Sequence, residues 1–436
     1  MLAYRNRGVM IMAVLLYLGG WLSVPQAQSM TSDQAIAFYQ RALQRNSFDA
    51  RSYYGLRDAY SRKARENGDV AYFNLAEQAL RQALQIRPQY GAAWRHLAFV
   101  LYARHDFAGA AAEATKAIDL DPTDGHAYAV LGDAYLEVGK YAQAQAAFER
   151  MIDLAQDLYV YSRLSGLKSL RGDTAGAIAE LKQAIETGRA QGHAQEHIAW
   201  AQWQLGNEYF AIGDLKEAET QYRAALATYA NYYRALAGLA QVHVAQQHYP
   251  EAIDLYQKAL AIIPMPDYAA ALGDVYVKVG RLEETKKHYA LVEYVGYLNT
   301  LNQVLYNREL AAFYADHDMK RTAALELAKK ELEVRQDIYA YDLLAWTLYK
   351  NGQPQEALAA MTEALKLGTQ DARLFFHAGM IYHQLGDIAK AKTYLQRALT
   401  TNPHFHIFHA DVAKRTLEGL GEGIGQVVQQ ETDYVQ

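Results

Sequence analysis

Three histidines near the C-terminus, His404-x-His406-x-x-His409, are the residues whose type and spacing most suggest metal chemistry. Imidazoles suit zinc, copper or nickel, and short histidine-rich tracts can bind such ions. Pro403 is expected to start a helix here, which places His406 and His409 three apart on one face. No Asp, Glu or Cys completes the site locally, so the favoured reading is a cap helix without metal. A histidine-based metal carrier is the lesser alternative. His193 and His197 are four apart but lack the His-Glu-x-x-His pattern of a metalloprotease.

Other chemistries lack their motifs. The glycines at 419, 421, 423 and 425 superficially resemble a dinucleotide fingerprint, but too little chain follows for a βαβ unit, so a flexible tail is expected. No Gly-x-Ser-x-Gly elbow and no Gly-Lys-Ser/Thr phosphate loop occurs. Cysteine is absent, which excludes disulfides, thiolate catalysis and Cys-ligated zinc or iron–sulfur sites. Paired acids such as Glu283-Glu284 have lysines nearby, as on a solvated helix face. The expectation is no enzyme and no cofactor. The 436 residues carry 43 basic and 48 acidic side chains, a net charge of −5 that disfavours a nucleic-acid partner.

The chain begins like an exported one. Arg5 and Arg7 precede an uncharged run, Gly8 to Leu22, which Gly19, Gly20 and Pro25 break. A basic start, a short apolar core and small residues after it describe a secretory signal peptide. Ala27-Gln28-Ser29 fits the small-x-small cleavage pattern, so residues 1–29 are expected to be removed and the mature chain to start at Met30, outside the cytoplasm. In the alternative, residues 8–22 stay attached as an anchor. No later run approaches the roughly 20 apolar residues of a membrane span.

A period near 34 residues organises the rest. Leu131-Gly132-x-x-Tyr135 recurs as Leu205-Gly206-x-x-Tyr209 and Leu272-Gly273-x-x-Tyr276, and as Ala378-Gly379-x-x-Tyr382. Pro88 and Pro122 lie 34 apart. Small residues recur seven apart: Ala110/Ala117, Ala218/Ala225, Ala252/Ala259, Ala357/Ala364 and Ala391/Ala398. Each period holds two amphipathic stretches, separated by turn signals at Gly139, Gly172, Gly213, Gly280, Gly352 and Gly386. The small residue should let two helices approach, with large residues such as Leu131, Tyr135 and Phe148 filling the space between. Tyr135, Tyr209, Tyr276 and Tyr382 are expected in the core. The pattern resembles the tetratricopeptide repeat over nearly all of the mature chain. One helix pair cannot bury its apolar face alone, so stacked neighbours form a continuous core.

The expected architecture is all-α: an α-α superhelix, or solenoid, of about ten helix pairs, right-handed by the resemblance. A single helix occupies 30–49. One array covers 50–298, with pairs starting near 50, 91, 125, 158, 199, 233 and 266. A second covers 299–405, with pairs near 304, 338 and 372. A capping helix follows at 406–420 and a tail at 421–436. The first pair looks about seven residues longer than the others, and extra residues sit near 191–198 and 298–303. The latter could hinge two lobes. The pair from Val304 departs most, since Lys330 and Glu331 stand where small or apolar residues belong.

By resemblance, the first helix of each pair lines a concave groove. Helical phase places there Tyr54, Arg95, Phe99, Tyr102, Trp200, Trp203, Asn207, Phe210, Arg234, Gln241, Arg308, Trp346, Tyr349, Phe376 and His383. Tyr, Trp and Arg are enriched at binding hot spots. At least one of Trp200 and Trp203 is expected to face the groove. Family members that hold a C-terminal carboxylate use a Lys–Asn–Asn–Lys–Arg clamp. Asn207 matches one place, but Trp203 stands where the first lysine belongs and Gln241 follows, so the clamp is not evident. The expected function is a non-enzymatic, periplasmic or otherwise extracytoplasmic scaffold. It would bind a protein or peptide in the groove, with possible self-association, in assembly or organisation of a bacterial envelope complex. The runner-up is a membrane-tethered accessory subunit of an envelope secretion, polysaccharide or respiratory machine.

Overall fold

A computed structural model describes residues 30–301 and 308–421. Among them are 22 helices and no strand. α1 (Ser32–Arg45) stands alone. Ten pairs follow: α2 (Ala50–Asn67) with α3 (Ala71–Ile86), α4 (Gly91–Ala103) with α5 (Phe107–Leu120), α6 (Gly125–Glu137) with α7 (Tyr141–Leu154), α8 (Leu158–Leu170) with α9 (Thr174–Ala190), and α10 (Gln195–Ala211) with α11 (Leu215–Thr228). The rest are α12 (Tyr233–Ala245) with α13 (Tyr249–Ile262), α14 (Pro266–Lys278) with α15 (Leu282–Leu301), α16 (Arg308–Asp316) with α17 (Arg321–Val334), α18 (Ile338–Lys350) with α19 (Pro354–Leu365), and α20 (Ala372–Gln384) with α21 (Ile388–Thr401). α22 (His409–Gly421) caps the end. The signal segment, the start near Val304 and most of the tail lie outside the described residues.

Local chemistry explains the element boundaries. Asp106, Asp173, Asp214 and Asp387 accept a backbone N–H of the second helix that each precedes. Asp49, Asp124, Asp157, Asp337 and Asp371 do the same for first helices. A side-chain oxygen there satisfies amide donors that no helical carbonyl can reach. The ten periodic alanines are all buried. The recurrent glycine then sets how close the two helices lie. A Cβ built on Gly132 would stand 2.4 Å from the Phe148 ring, and one on Gly273 would stand 2.4 Å from Tyr289. Tyr222 is wedged between Gly206 and Gly238, 2.5 and 2.6 Å from the built Cβ positions, and donates its hydroxyl to Asn207 Oδ1 at 2.8 Å.

The two helices of a pair have different roles. The first is buried on most of its faces: α10 buries 13 of its 17 residues. The second buries one stripe, as α11 does with Ala218, Tyr222 and Ala225. First helices thus form an inner layer and second helices an outer one.

A further set of contacts joins distant repeats. The turn inside one pair docks on the loop that follows the fifth pair after it. Gln336 N–H donates to Glu137 O at 2.8 Å, and Ile338 N–H to the Tyr141 hydroxyl at 2.9 Å. Thr369 Oγ1 donates to Leu170 O, and Asn402 Nδ2 to Phe210 O at 2.7 Å. The last three pairings span 197, 199 and 192 residues. Such regularity means that one superhelical coil lies directly on the next. The two arrays on either side of 302–307 are therefore joined by direct contact.

The tyrosine expectation needs correction. Tyr276 is buried, but Tyr135, Tyr209 and Tyr382 are only half-buried. They sit beside the turns, with Lys140, Lys182 and Lys390 over their rings at 5.7, 5.9 and 4.9 Å. The cap helix starts at His409, because residues 403–408 form a turn. The pair expected near 199 starts at Gln195, and α2 runs to 18 residues. Gly206→Ala is predicted to lower unfolding stability by about 1–3 kcal/mol in urea titration, because Tyr222 is held from both sides and cannot move away from the added methyl.

Candidate functional site

Placement of the fifteen groove residues decides which surface a partner can reach. Phe99, Tyr102, Trp200, Trp203, Asn207, Phe210, Gln241, Arg308, Trp346 and Phe376 are buried. Tyr54, Arg95, Arg234, Tyr349 and His383 are half-buried. The expectation that Trp200 or Trp203 faces solvent is overturned: they are 2% and 3% exposed. Both belong to one apolar cluster with Leu158, Ile198, Tyr222 and Leu239, and the Arg234 guanidinium lies 5.1 Å from the Trp203 ring. Arg95 pairs with Asp124 of the next repeat at 2.6 Å. Tyr54 meets the His96 ring nitrogen at 3.1 Å, and Tyr349 stacks on Trp346 at 4.9 Å. The histidine pair near 195 also separates: His197 is buried against the Tyr159 hydroxyl at 2.8 Å, and His193 is half-exposed.

Arg308 and Tyr102 enter a buried polar clasp between the coils. Arg308 contacts Glu331 at 2.8 Å and Asp337 at 2.9 Å. Arg335 pairs with Glu137 and lies 3.5 Å from Glu331. The Tyr102 hydroxyl donates to Glu137 at 2.9 Å. Glu331, out of place in the repeat pattern, is thus a charge that the clasp requires. Three carboxylates face two guanidiniums away from water. Burial, only partly countered by Arg335, pushes the Glu137 carboxyl up to about 7. Glu331 is raised for the same reason, with Arg308 and Arg335 opposing.

The inner layer opens at a cleft of about 300 Å³. Gln241 and Val244 of α12, Asp274 and Lys278 of α14, and His406, Asp411 and Lys414 of the C-terminal cap line it. Lys278 reaches Asp411 at 3.0 Å across the cleft. Asp274 accepts from the Tyr289 hydroxyl at 2.8 Å and meets His317 Nε2 at 2.6 Å. Burial disfavours the His317 cation, but Asp274 outweighs it and raises the imidazole above its ordinary value. Of the three C-terminal histidines, His404 is exposed, whereas His406 and His409 are buried and stack on each other at 4.1 Å. Burial holds both buried rings well below the usual imidazole range, with Asp316 opposing it at His409. Sequence spacing places these rings near one another but says nothing of the distant helices they meet.

Models of the tetratricopeptide repeat match residues 101–169, 204–264 and 343–404. These stretches are tetratricopeptide repeats. The chain is 26% identical over 227 residues to the human protein O-mannosyl-transferase TMTC1, covering 50% of this chain and 24% of that protein. It is 21% identical over 310 residues to a TPR repeat-containing protein, MJ1428, of Methanocaldococcus jannaschii, covering 66% and 52%. The chain thus spans about a quarter to a half of these curated relatives. Among solved structures, PilW, a type IV pilus biogenesis factor, is similar at 16% identity with a TM-score of 0.40, covering 47% of this chain and 92% of its own. The repeat fold is consistent with a protein–protein interaction scaffold. Among the described residues, no helix is long and apolar enough to cross a membrane.

The clasp generates a pH prediction. A carboxyl whose folded-state pKa is raised binds a proton that the unfolded chain has already released. Its contribution is complete below pH 4.5 and is lost as pH rises through about 7. Glu137→Gln keeps a hydrogen-bonding side chain and removes the titration. Its unfolding free energy is predicted to lose, between pH 5 and 7.5, a fall on the order of 1–3 kcal/mol that the native chain shows. Parallel pH profiles for the two proteins would contradict this.

Proposed function

We propose that the chain is an exported, non-catalytic scaffold that holds a protein segment at the inner helices, in assembly or organisation of a bacterial envelope complex. The observation that carries this reading is the cleft at Gln241, where the inner layer of a repeat array remains reachable. Its wall mixes Val244, Ile407 and Ala410 with Asp274, Lys278, Asp411 and Lys414. A mainly polar lining with charges of both signs and a few apolar side chains suits a peptide, whose side chains supply apolar contact and whose backbone and charges supply direction. Repeat arrays present such surfaces because stacked pairs extend them without adding a new core. The basic start and uncharged run at 8–22 support export.

Two measurements test it. A photo-crosslinking residue at Val244 is predicted to trap a discrete partner in envelope extracts, whereas one at Lys116, on the outer face of α5, should not. Equal labelling from both positions, or none from Val244, would overturn the reading. The intact mass of the protein from its native host is predicted to correspond to a start at Met30. A mass that retains residues 8–22 would instead indicate a tethered form.

A further inference from the structure

We propose that Asp316, His377 and His409 form a binding site for a divalent transition-metal ion of the zinc class. The three side chains are buried, and one ligand atom from each lies within 4.8 Å of the others. They come from the end of α16, the middle of α20 and the start of α22. The site therefore ties three elements together and differs from the local His404-x-His406-x-x-His409 tract.

Supporting groups orient each ligand. His377 Nδ1 lies 2.8 Å from Asp342 Oδ1. A carboxylate only accepts, so Nδ1 carries the proton and the lone pair of the neutral ring sits on Nε2. A carboxylate behind the distal nitrogen is the usual outer support of a metal-bound histidine. The His377 ring stacks on Trp346 at 4.1 Å, and Trp346 Nε1 donates to Asp316 Oδ1 at 2.8 Å. One tryptophan thus positions two ligands. His409 is sandwiched between Phe376 at 4.8 Å and His406 at 4.1 Å, and its buried Nδ1 has no hydrogen-bond partner. His406 is not a ligand. Its Nδ1 accepts the N–H groups of Phe408 and His409, which leaves the proton of the neutral ring on Nε2. It lines the cleft and stacks on His409, so it stands between the cleft and the three ligands.

Two imidazoles and a carboxylate without thiolate suit zinc, cobalt, nickel or iron(II) and leave a coordination position open. The competing group is Arg373, whose Nη1 is 3.3 Å from Asp316 Oδ2, a long contact for an ion pair. A bound dication shares that carboxylate with the guanidinium.

The test is a Co²⁺ titration of the whole mature chain without a histidine tag, read by visible absorption and competed with Zn²⁺. One equivalent should give d–d bands that Zn²⁺ abolishes, and Zn²⁺ should raise the melting temperature. His409→Phe, which keeps the ring stack, should remove the bands, and His404→Ala should leave them intact. Asp342→Asn should weaken binding by about 10–100-fold. Arg373→Met, which removes the competing cation, should tighten it. Absence of bands from the native chain at millimolar Co²⁺ would overturn the proposal. So would bands that survive His409→Phe or vanish with His404→Ala. The native-chain titration decides the matter even where a variant fails to fold.

Discussion

The architecture depends on the docking of one superhelical coil on the next. Glycines at the turns make that contact possible. Gly139 and Gly172 have φ of +69° and +79°, and a Cβ built on either would stand 2.5 Å from a backbone carbonyl, that of Gln336 or of Gly368. A side chain there would both strain the turn and push the coils apart. The same glycines end the first helix of their pair. One residue type therefore satisfies a local need and a contact almost two hundred positions away.

Once the coils touch, the inner helices lose their solvent and their polar groups must find partners within the chain. The clasp of Glu137, Glu331, Asp337, Arg308 and Arg335 joins one coil to the next, and the His377–Asp342 and Asp316–Arg373 pairs join nearby repeats within a coil. Removing one member of such a buried pair leaves an uncompensated charge, so each partner depends on the other. The inner layer still opens at the cleft beside the C-terminal cap.

Much of the fold was legible in sequence because its determinants are local. Alanines seven apart, a glycine facing an aromatic and a glycine at most of the turns, with His105, Gln247 and Asp318 in its place at the others, fix a helix pair without reference to distant residues. The misfit of Glu331 was visible too, although its cause, Arg308 and Arg335 nearby in space, was not, and Lys330 beside it is exposed. The candidate site was far less legible. Helical phase places Trp200, Trp203 and Trp346 on an inner face, but whether that face is wet depends on coil spacing. That spacing is set by loop residues such as Gln336, Thr369 and Asn402, which carry no periodic signal. His409 stands out with its sequence neighbours, whereas the side chains it meets, Asp316 and His377, come from other helices and share no motif with it.

The most direct test of coil-on-coil docking is a distance between Lys140 and Gln336, two exposed positions beside the Glu137–Gln336 contact. The chain has no cysteine, so Lys140→Cys with Gln336→Cys gives two unique spin-label sites. Pulsed electron resonance should show one narrow, short distance in solution. A long or broad distribution would mean that the coils stand apart and that the inner helices form an open groove.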